Sequence, residues 1–409
     1  MSAFQFFFII YALLSQATSG PIAEGDTKFL GNIILSGESP PSNFANYWNQ
    51  VTCENEGKWG NAELSRDQFS WGGIDAAYNY AKNKGFPFKH HCFFWDLQKP
   101  NWMGGLSAAD QKAEAEEWIM AYANRYPQTE YIDVVNEPRD HTPTYSNALG
   151  GKGETGWDWI VWAFETARKY CPKAKLLINE HNVEANMTNA LLFRNIIVIL
   201  HERKLVDGVG IQCHAADIQR NNASLDTIKR CIDTLASVGL PMYPSELDLE
   251  GDDQQQLADY KRIFPYIWEH PGTKGVTLWG YQGNMWTTNA VLIKNGVERP
   301  ALKWLRTYVD SIKNNKITHT NKKSSTETNP IMVNYSRLGR IEVHLSSMQE
   351  YAVRIIDPRG RIIASQMNHL FTRETHTIVF PTLSLCPGLY IVNAKSRQLC
   401  LTKKFILGF

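Results

Sequence analysis

The sequence predicts an α/β protein, a (β/α)8 TIM barrel followed by a small C-terminal β-sandwich. Three observations predict it. Between Lys28 and Ile312 short apolar runs alternate with longer stretches of helical periodicity, and eight such runs are present. Nearly all of them end in polar, chemically capable residues, and the C-terminal strand ends are where such a barrel builds its site. After Pro330 the hydrophobic period falls to two. An open doubly wound sheet is the alternative for the first part, but no glycine-rich phosphate loop follows the first strand.

In chain order, Phe4–Leu14 is a short apolar run followed by the small residues Ala17-Thr18-Ser19-Gly20, which reads as a signal peptide over residues 1–20. It is too short to span a bilayer, and no other run is apolar for longer. Barrel strands are expected at Phe29–Ile33, Gln50–Cys53, Phe88–Cys92, Tyr131–Asn136, Leu176–Asn179, Gly208–Cys213, Met242–Leu247 and Gly275–Trp279. Helical spacing fills the gaps at Ile74–Lys84, Ala108–Tyr126, Trp157–Tyr170, Asn189–Lys204, Leu225–Val238, Gln254–Glu269 and Ala301–Ile312. The barrel is thus expected over 21–312. Residues 313–330, rich in Asn, Lys, Thr and Ser, read as a linker. The sandwich follows over 331–409, with strands at Ile341–Leu345, Tyr351–Ile356, Arg361–Ser365, Thr375–Phe380, Leu389–Ala394 and Cys400–Ile406, separated by turns such as Asp357-Pro358-Arg359-Gly360 and Pro387-Gly388.

A net charge of +1 offers no basic field for nucleic acid or an anionic membrane. The seven cysteines show no metal-ligand spacing, and an odd number in a large chain is no disulfide framework, although Cys386 and Cys400 could pair. Thirteen Trp and seventeen Tyr, many beside Asn, His, Glu and Gly, suit either a large core or the C–H face of a sugar.

The chemistry concentrates at the strand ends. Asp133-Val134-Val135-Asn136-Glu137-Pro138 delivers an Asn–Glu pair, in which a carboxylic acid can protonate a glycosidic oxygen and the amide can bind a sugar 2-hydroxyl. The same letters suit a turn or a helix start. Tyr243-Pro244-Ser245-Glu246-Leu247-Asp248 brings a Glu inward from the seventh strand, where an unused charge would be costly. If the two carboxyls stand ~5–5.5 Å apart they suit double displacement, and at ~6.5–9.5 Å inversion. Gln212 and His214, two apart on the sixth strand, are expected on one face, with His214 beside Glu246. Glu54, Asn55 and Lys58 follow the second strand, His91 and Trp95 the third, and Trp279 and Trp286 the eighth.

Together these motifs resemble the family 10 glycoside hydrolases, the endo-β-1,4-xylanases, over about Phe29 to Ile312. The resemblance implies that Glu137 is the acid/base and Glu246 the nucleophile of a retaining enzyme acting on plant xylan or xylo-oligosaccharides. Asn136, Lys58, His91, Trp95, Gln212, His214, Trp279 and Trp286 would line the subsite of the cleaved sugar, with Glu54 and Asn55 in the cradle. It implies no cofactor and no metal. Asp96 stands where that family usually has His, Gly57 where it has a bulkier residue, and Pro138 follows the acid/base as in family 5 endoglucanases. A retaining β-glucanase on the same barrel and a non-catalytic polysaccharide-binding barrel remain as alternatives. The tail, through Ile355–Arg361 and Leu385–Tyr390, resembles the sorting domain of type IX secretion cargo in Bacteroidetes. That implies a secreted or cell-surface protein and the secretion machinery as a partner. A carbohydrate-binding or adhesion sandwich is the alternative there.

Overall fold

The computed structural model describes residues 20–322 and, beyond them, 331–336, 340–345, 351–357, 361–368, 376–381, 388–395 and 400–407. The expected signal peptide before Gly20, and Cys386 of the suggested pair, lie outside the described residues. The chain divides into two compact units, Met1–Lys313 and Asn314–Phe409.

The first unit is the expected barrel. Its strands are β1 (Phe29–Ile34), β2 (Val51–Cys53), β3 (Phe88–Phe94), β4 (Tyr131–Asn136), β5 (Lys175–Glu180), β6 (Gly208–Ile211), β7 (Met242–Pro244) and β8 (Gly275–Leu278). They pair in parallel in the order β7-β6-β5-β4-β3-β2-β1-β8. Closure between β7 and β8 comes from the bridges Met242↔Thr273 and Leu247↔Leu278. Leu247 N donates to Thr277 O, and Trp279 N donates to Leu247 O.

Two strands stop two or more residues short of their expected ends for local reasons. Cys213 lies at φ +63°, which takes the chain out of extended geometry after Ile211. Pro244 has no N–H to give the ladder, and the residues after it pair irregularly with β6 and β8.

The main helices are α1 (Gly72–Lys84), α2 (Ala108–Arg125), α3 (Asp158–Tyr170), α4 (Met187–Glu202), α5 (Leu225–Ala236), α6 (Asp253–Glu269) and α7 (Pro300–Lys322). Ser107, Asn186, Ser224 and Asp252 cap α2, α4, α5 and α6 by accepting from backbone N–H groups of the first turn. The first crossover carries only a 3-10 turn, Phe44–Asn46. Helix α7 continues ten residues into the stretch read as linker, because 313–322 contains neither Gly nor Pro to stop it.

Many of the tryptophans are structural: Trp48, Trp59, Trp118, Trp159 and Trp268 are buried in the layer between strands and helices. The barrel interior has two characters. Phe29, Leu177 and Tyr243, with Tyr131 packed against them, fill the end where the strands begin. Gln50, Thr52, Lys89, Asp133, Asn179, Ser245 and Thr277, all buried, fill the space above. Several of those polar groups pair with one another: Thr277 Oγ1 donates to Gln50 Oε1 at 2.7 Å and Gln50 Nε2 to Thr52 Oγ1 at 2.8 Å.

The second unit is the expected sandwich. Its strands follow β9 (Ile293–Lys294) and β10 (Val297–Glu298), a hairpin of the first unit that precedes α7. After it, β11 (Ile331–Ser336), β12 (Arg340–Leu345) and β15 (His376–Pro381) form one antiparallel sheet. The other, ordered β14-β13-β16-β17, comprises β13 (Tyr351–Ile356), β14 (Ile362–Asn368), β16 (Gly388–Lys395) and β17 (Cys400–Leu407). Alternate residues of both sheets make the core: Ile341, Val343 and Phe380 from the first, Val353, Ile355, Tyr390, Val392 and Ala394 from the second. Strand β11 was not expected. The ends of the Asp357-Pro358-Arg359-Gly360 turn are tied by Arg361 N donating to Asp357 Oδ1 at 2.9 Å and Arg361 Nε to Oδ2 at 2.8 Å.

At Gly275 a Cβ would stand 2.3 Å from the Phe29 ring, which Tyr131 and Tyr243 hold from two sides. Gly275→Ala should therefore destabilise the barrel by ~1–3 kcal/mol, the usual cost of overpacking, read as a lower urea midpoint at unchanged slope. A midpoint equal to the parent's would show that the ring has room to move.

Candidate active site

The site is built upward from the buried polar layer. On β3, Lys89 and His91 are two residues apart and both face inward. Asp133 of β4 meets both, with Oδ2 at 3.3 Å from Lys89 Nζ and 3.0 Å from His91 Nδ1. That contact turns His91 Nε2 toward the mouth, 4.0 Å from Glu246 Oε1.

Glu246 follows β7 and is almost wholly buried. Asn179 Nδ2 donates to its Oε1 at 2.7 Å, and His214 Nε2 lies 3.2 Å from its Oε2. Burial alone would raise this carboxyl. His91, His214 and Lys89 more than offset it, and the group is held well below the usual carboxylate range. Asn179 is itself fixed, since its Oδ1 accepts from Ser245 Oγ at 2.6 Å and its Nδ2 also donates to Asn136 Oδ1 at 2.8 Å. Its neighbour on β6 must be glycine, because a Cβ at Gly210 would lie 2.2 Å from Asn179 Oδ1.

His214 is held from both sides, with Nδ1 at 2.9 Å from Asp248 Oδ2 and Nε2 on Glu246. Burial would lower its pKa, but Asp248 and Glu246 outweigh burial and raise it well above the usual histidine value. With a carboxylate facing each nitrogen, the protonated ring, donating to both, is the favoured form. Asp248 is fixed in turn by Ala215 N at 2.8 Å and Trp286 Nε1 at 2.7 Å.

Glu137 follows β4 at φ +53°, beyond a register shift between Asp133 and Val135 that re-aims the strand end. Its N–H donates to Asn179 O at 2.9 Å. Its carboxylate takes one donor on each oxygen: Gln212 Nε2 on Oε1 at 2.8 Å and Trp95 Nε1 on Oε2 at 2.7 Å. Gln212 and His214 thus both face the cleft but serve different carboxylates. With Cys213 left-handed between them, simple alternation along a strand is not what brings them there.

The rim completes the cleft. Lys58 Nζ donates to Asn55 Oδ1 at 2.8 Å and sits 4.6 Å from the centre of the Trp95 ring. Burial lowers its ammonium below the usual lysine range, although the surrounding carboxylates act the other way. Glu54 Oε2 accepts from Ser36 N at 2.9 Å. Gly57 lets this loop pass close to β3, since a Cβ there would lie 2.5 Å from His91 O. Trp279 packs edge-on against His91 at 5.2 Å, and Trp286, half exposed, against His214 at 4.8 Å.

All twelve residues singled out in the sequence line this one cleft of about 460 Å³. So do His141, His181 and Asp217, which the sequence reading missed. His181 directly follows the polar end of β5 and was open to the strand-end rule; His141, in the loop after Glu137, carried no signal. Lys89, a charge inside an otherwise apolar strand and in phase with His91, was readable and was not read. Asp96 does not line the cleft: its carboxylate accepts from Thr144 N at 3.1 Å and pairs with Lys99 at 2.7 Å.

Among known proteins, the model of "Glycosyl hydrolase family 10" matches residues 25–308, and that of the "Secretion system C-terminal sorting domain" matches 337–408. The chain is 38% identical over 284 residues to endo-1,4-beta-xylanase B of Cellvibrio japonicus, covering 68% of this chain and 45% of that protein. It is 27% identical over 291 residues to endo-1,4-beta-xylanase B of Neocallimastix patriciarum, covering 68% of this chain and 33% of that one. The chain therefore spans less than half the length of these two relatives. In fold it is similar to native xylanase 10B from Thermotoga maritima, with a TM-score of 0.63 at 21% identity over 72% of this chain and 98% of that one.

The His214 contacts carry a pH signature. A folded-state pKa above the unfolded value means stability that is full below about 6.5 and is lost as pH rises through the folded value. His214 should accordingly show both ring nitrogens protonated in 15N NMR at pH 8, and His214→Gln should lose the alkaline part of the pH–stability curve. A neutral ring at pH 8 would contradict the assignment.

Proposed function

The chain belongs to glycosyl hydrolase family 10, and on that premise we propose that it is an endo-β-1,4-xylanase, cleaving internal bonds of plant xylan with retention of anomeric configuration. One observation carries the reading. Two carboxylates from the ends of β4 and β7 share one cleft and are linked through Gln212, Asn136 and Asn179, yet sit in contrasting surroundings. Glu246 is buried and locked as an anion, as a nucleophile must be. Glu137 stands nearer the rim, held by two neutral donors.

In the proposed first step Glu137 gives its proton to the glycosidic oxygen while Glu246 attacks the anomeric carbon, forming a glycosyl-enzyme. In the second, the Glu137 carboxylate takes a proton from water, which attacks the same carbon and frees Glu246. Asn136 suits the sugar 2-hydroxyl: its Oδ1 is taken by Asn179 and Gln212, and its Nδ2 has no hydrogen-bond partner among the described residues. Lys58 supplies a cation for ring hydroxyls, and the exposed face of Trp286 a flat surface for stacking. The tail carries a sorting domain, which indicates export. No helix among the described residues is long and apolar enough to cross a membrane. The same proposal extends to delivery outside the cell or to its surface by the type IX route.

Glu246→Ala should abolish turnover while leaving xylo-oligosaccharide binding measurable by calorimetry. Glu137→Ala should slow xylan hydrolysis by ~10²–10⁴ but cleavage of activated aryl glycosides far less, since those leaving groups need no proton; equal losses on both would remove the acid/base assignment. Proton NMR of the first-formed product should show the β-anomer. Initial rates on xylan should greatly exceed those on carboxymethylcellulose, and the reverse would favour the β-glucanase alternative.

A further inference from the structure

The cleft contains two histidines that the proposed hydrolysis does not use. Beside Glu137, the histidines His141 and His181 come from the ends of two neighbouring strands, their rings 6.3 Å apart and nearly parallel. One ligand atom each from Glu137, His141 and His181 lie within 4.8 Å of one another. We propose that these three side chains form a binding site for a borderline divalent transition metal, zinc or copper(II), whose occupancy switches the enzyme off.

The geometry is close to what such an ion needs. Tetrahedral zinc with bonds of ~2.0–2.1 Å sets its ligand atoms ~3.4 Å apart, and His141 Nε2 stands 3.6 Å from Glu137 Oε2. Small torsional adjustments bring the third atom in. His181 Nε2 has no hydrogen-bond partner but stands 3.3 Å from Asp140 Oδ2, and Asp217 holds the ring's pKa up at about 9, so zinc must displace a proton there; the His141 ring makes no hydrogen bond among the described residues. Asp217 Oδ2 lies 3.6 Å from His181 Nδ1, the carboxylate-behind-histidine arrangement that fixes ring orientation and strengthens a metal ligand. Asp140, paired with Arg139 at 2.6 Å and 3.3 Å from His181 Nε2, adds negative charge at the edge. Three carboxylates around two imidazoles favour a cation over an anion. Two nitrogens with one oxygen favour zinc or copper over calcium or magnesium. The open fourth position would take water or a sugar hydroxyl.

Coordination would occupy Glu137 Oε2, so that this carboxyl could not carry the proton that leaving-group departure requires. Inhibition therefore rests on the acid/base role argued above, whereas binding does not.

The test titrates zinc chloride into EDTA-stripped full-length protein by calorimetry, beside His141→Ala, His181→Ala and the double variant, with circular dichroism to check folding. The parent should bind one equivalent that the double variant lacks, each single variant should weaken binding by more than ~10-fold, and Asp217→Asn should weaken it by ~10–100-fold. Should the double variant misfold, the His141→Ala titration decides alone. Zinc binding by a folded variant with parental affinity and stoichiometry would overturn the site, and would leave the two rings as sugar contacts. Xylan hydrolysis by the parent should fall on adding zinc and recover with EDTA. An undiminished rate at saturating zinc would overturn the switch. A parent that binds zinc but never hydrolyses xylan would instead count against the proposed activity.

Discussion

The hardest physical demand in this molecule is to keep the Glu246 carboxylate charged in a place almost without water. Burying such an ion costs several kcal/mol unless donors and opposite charges compensate. Here the compensation reaches deep into the barrel. Asn179 and His214 donate directly, while His91 stands a little farther off. His91 is in turn oriented by Asp133, which also meets the Lys89 ammonium. Asp248 holds His214 from the other side. The groups are spread over β3, β4 and β5 and the segments that follow β6 and β7, so the charge survives only when the barrel is closed and in register. Fold and site are in this sense one problem: the polar layer that would be a defect in an ordinary core is what makes the carboxylate tolerable.

The same demand explains why the fold was legible. A barrel strand must be apolar toward its helices and is free to turn polar at its mouth, so the boundary between the two is written into each run of letters. All eight strands appear near their expected places. What escaped reading was contact across the barrel. Asn179 was visible as a strand-end residue, but not as the hub joining Asn136, Ser245 and Glu246, since hubs depend on register between strands. Lys89 lies below the mouth, where the strand-end rule does not look. His141 sits in a loop whose path no periodicity encodes. Strand β11 was missed because Asn334 interrupts its short apolar run, and the helical extension of α7 because a polar composition was taken to imply irregular chain.

Electrostatic contrast organises the cleft. On one side, a salt-bridged imidazolium and an ionised carboxylate are locked in a network with few free valences. On the other, Glu137 is approached by His141 at 3.6 Å and takes its hydrogen bonds from Trp95 and Gln212, both neutral. A locked anion suits bond formation at carbon, and an adaptable carboxyl suits a group whose proton comes and goes. On the proposal above, that second side is also where a foreign cation would bind.

The plug of Phe29, Tyr131, Leu177 and Tyr243 has a consequence for how a long polymer can be handled. With the lower end stoppered by rings, nothing can pass through the barrel, so whatever occupies the cleft must enter and leave by the mouth.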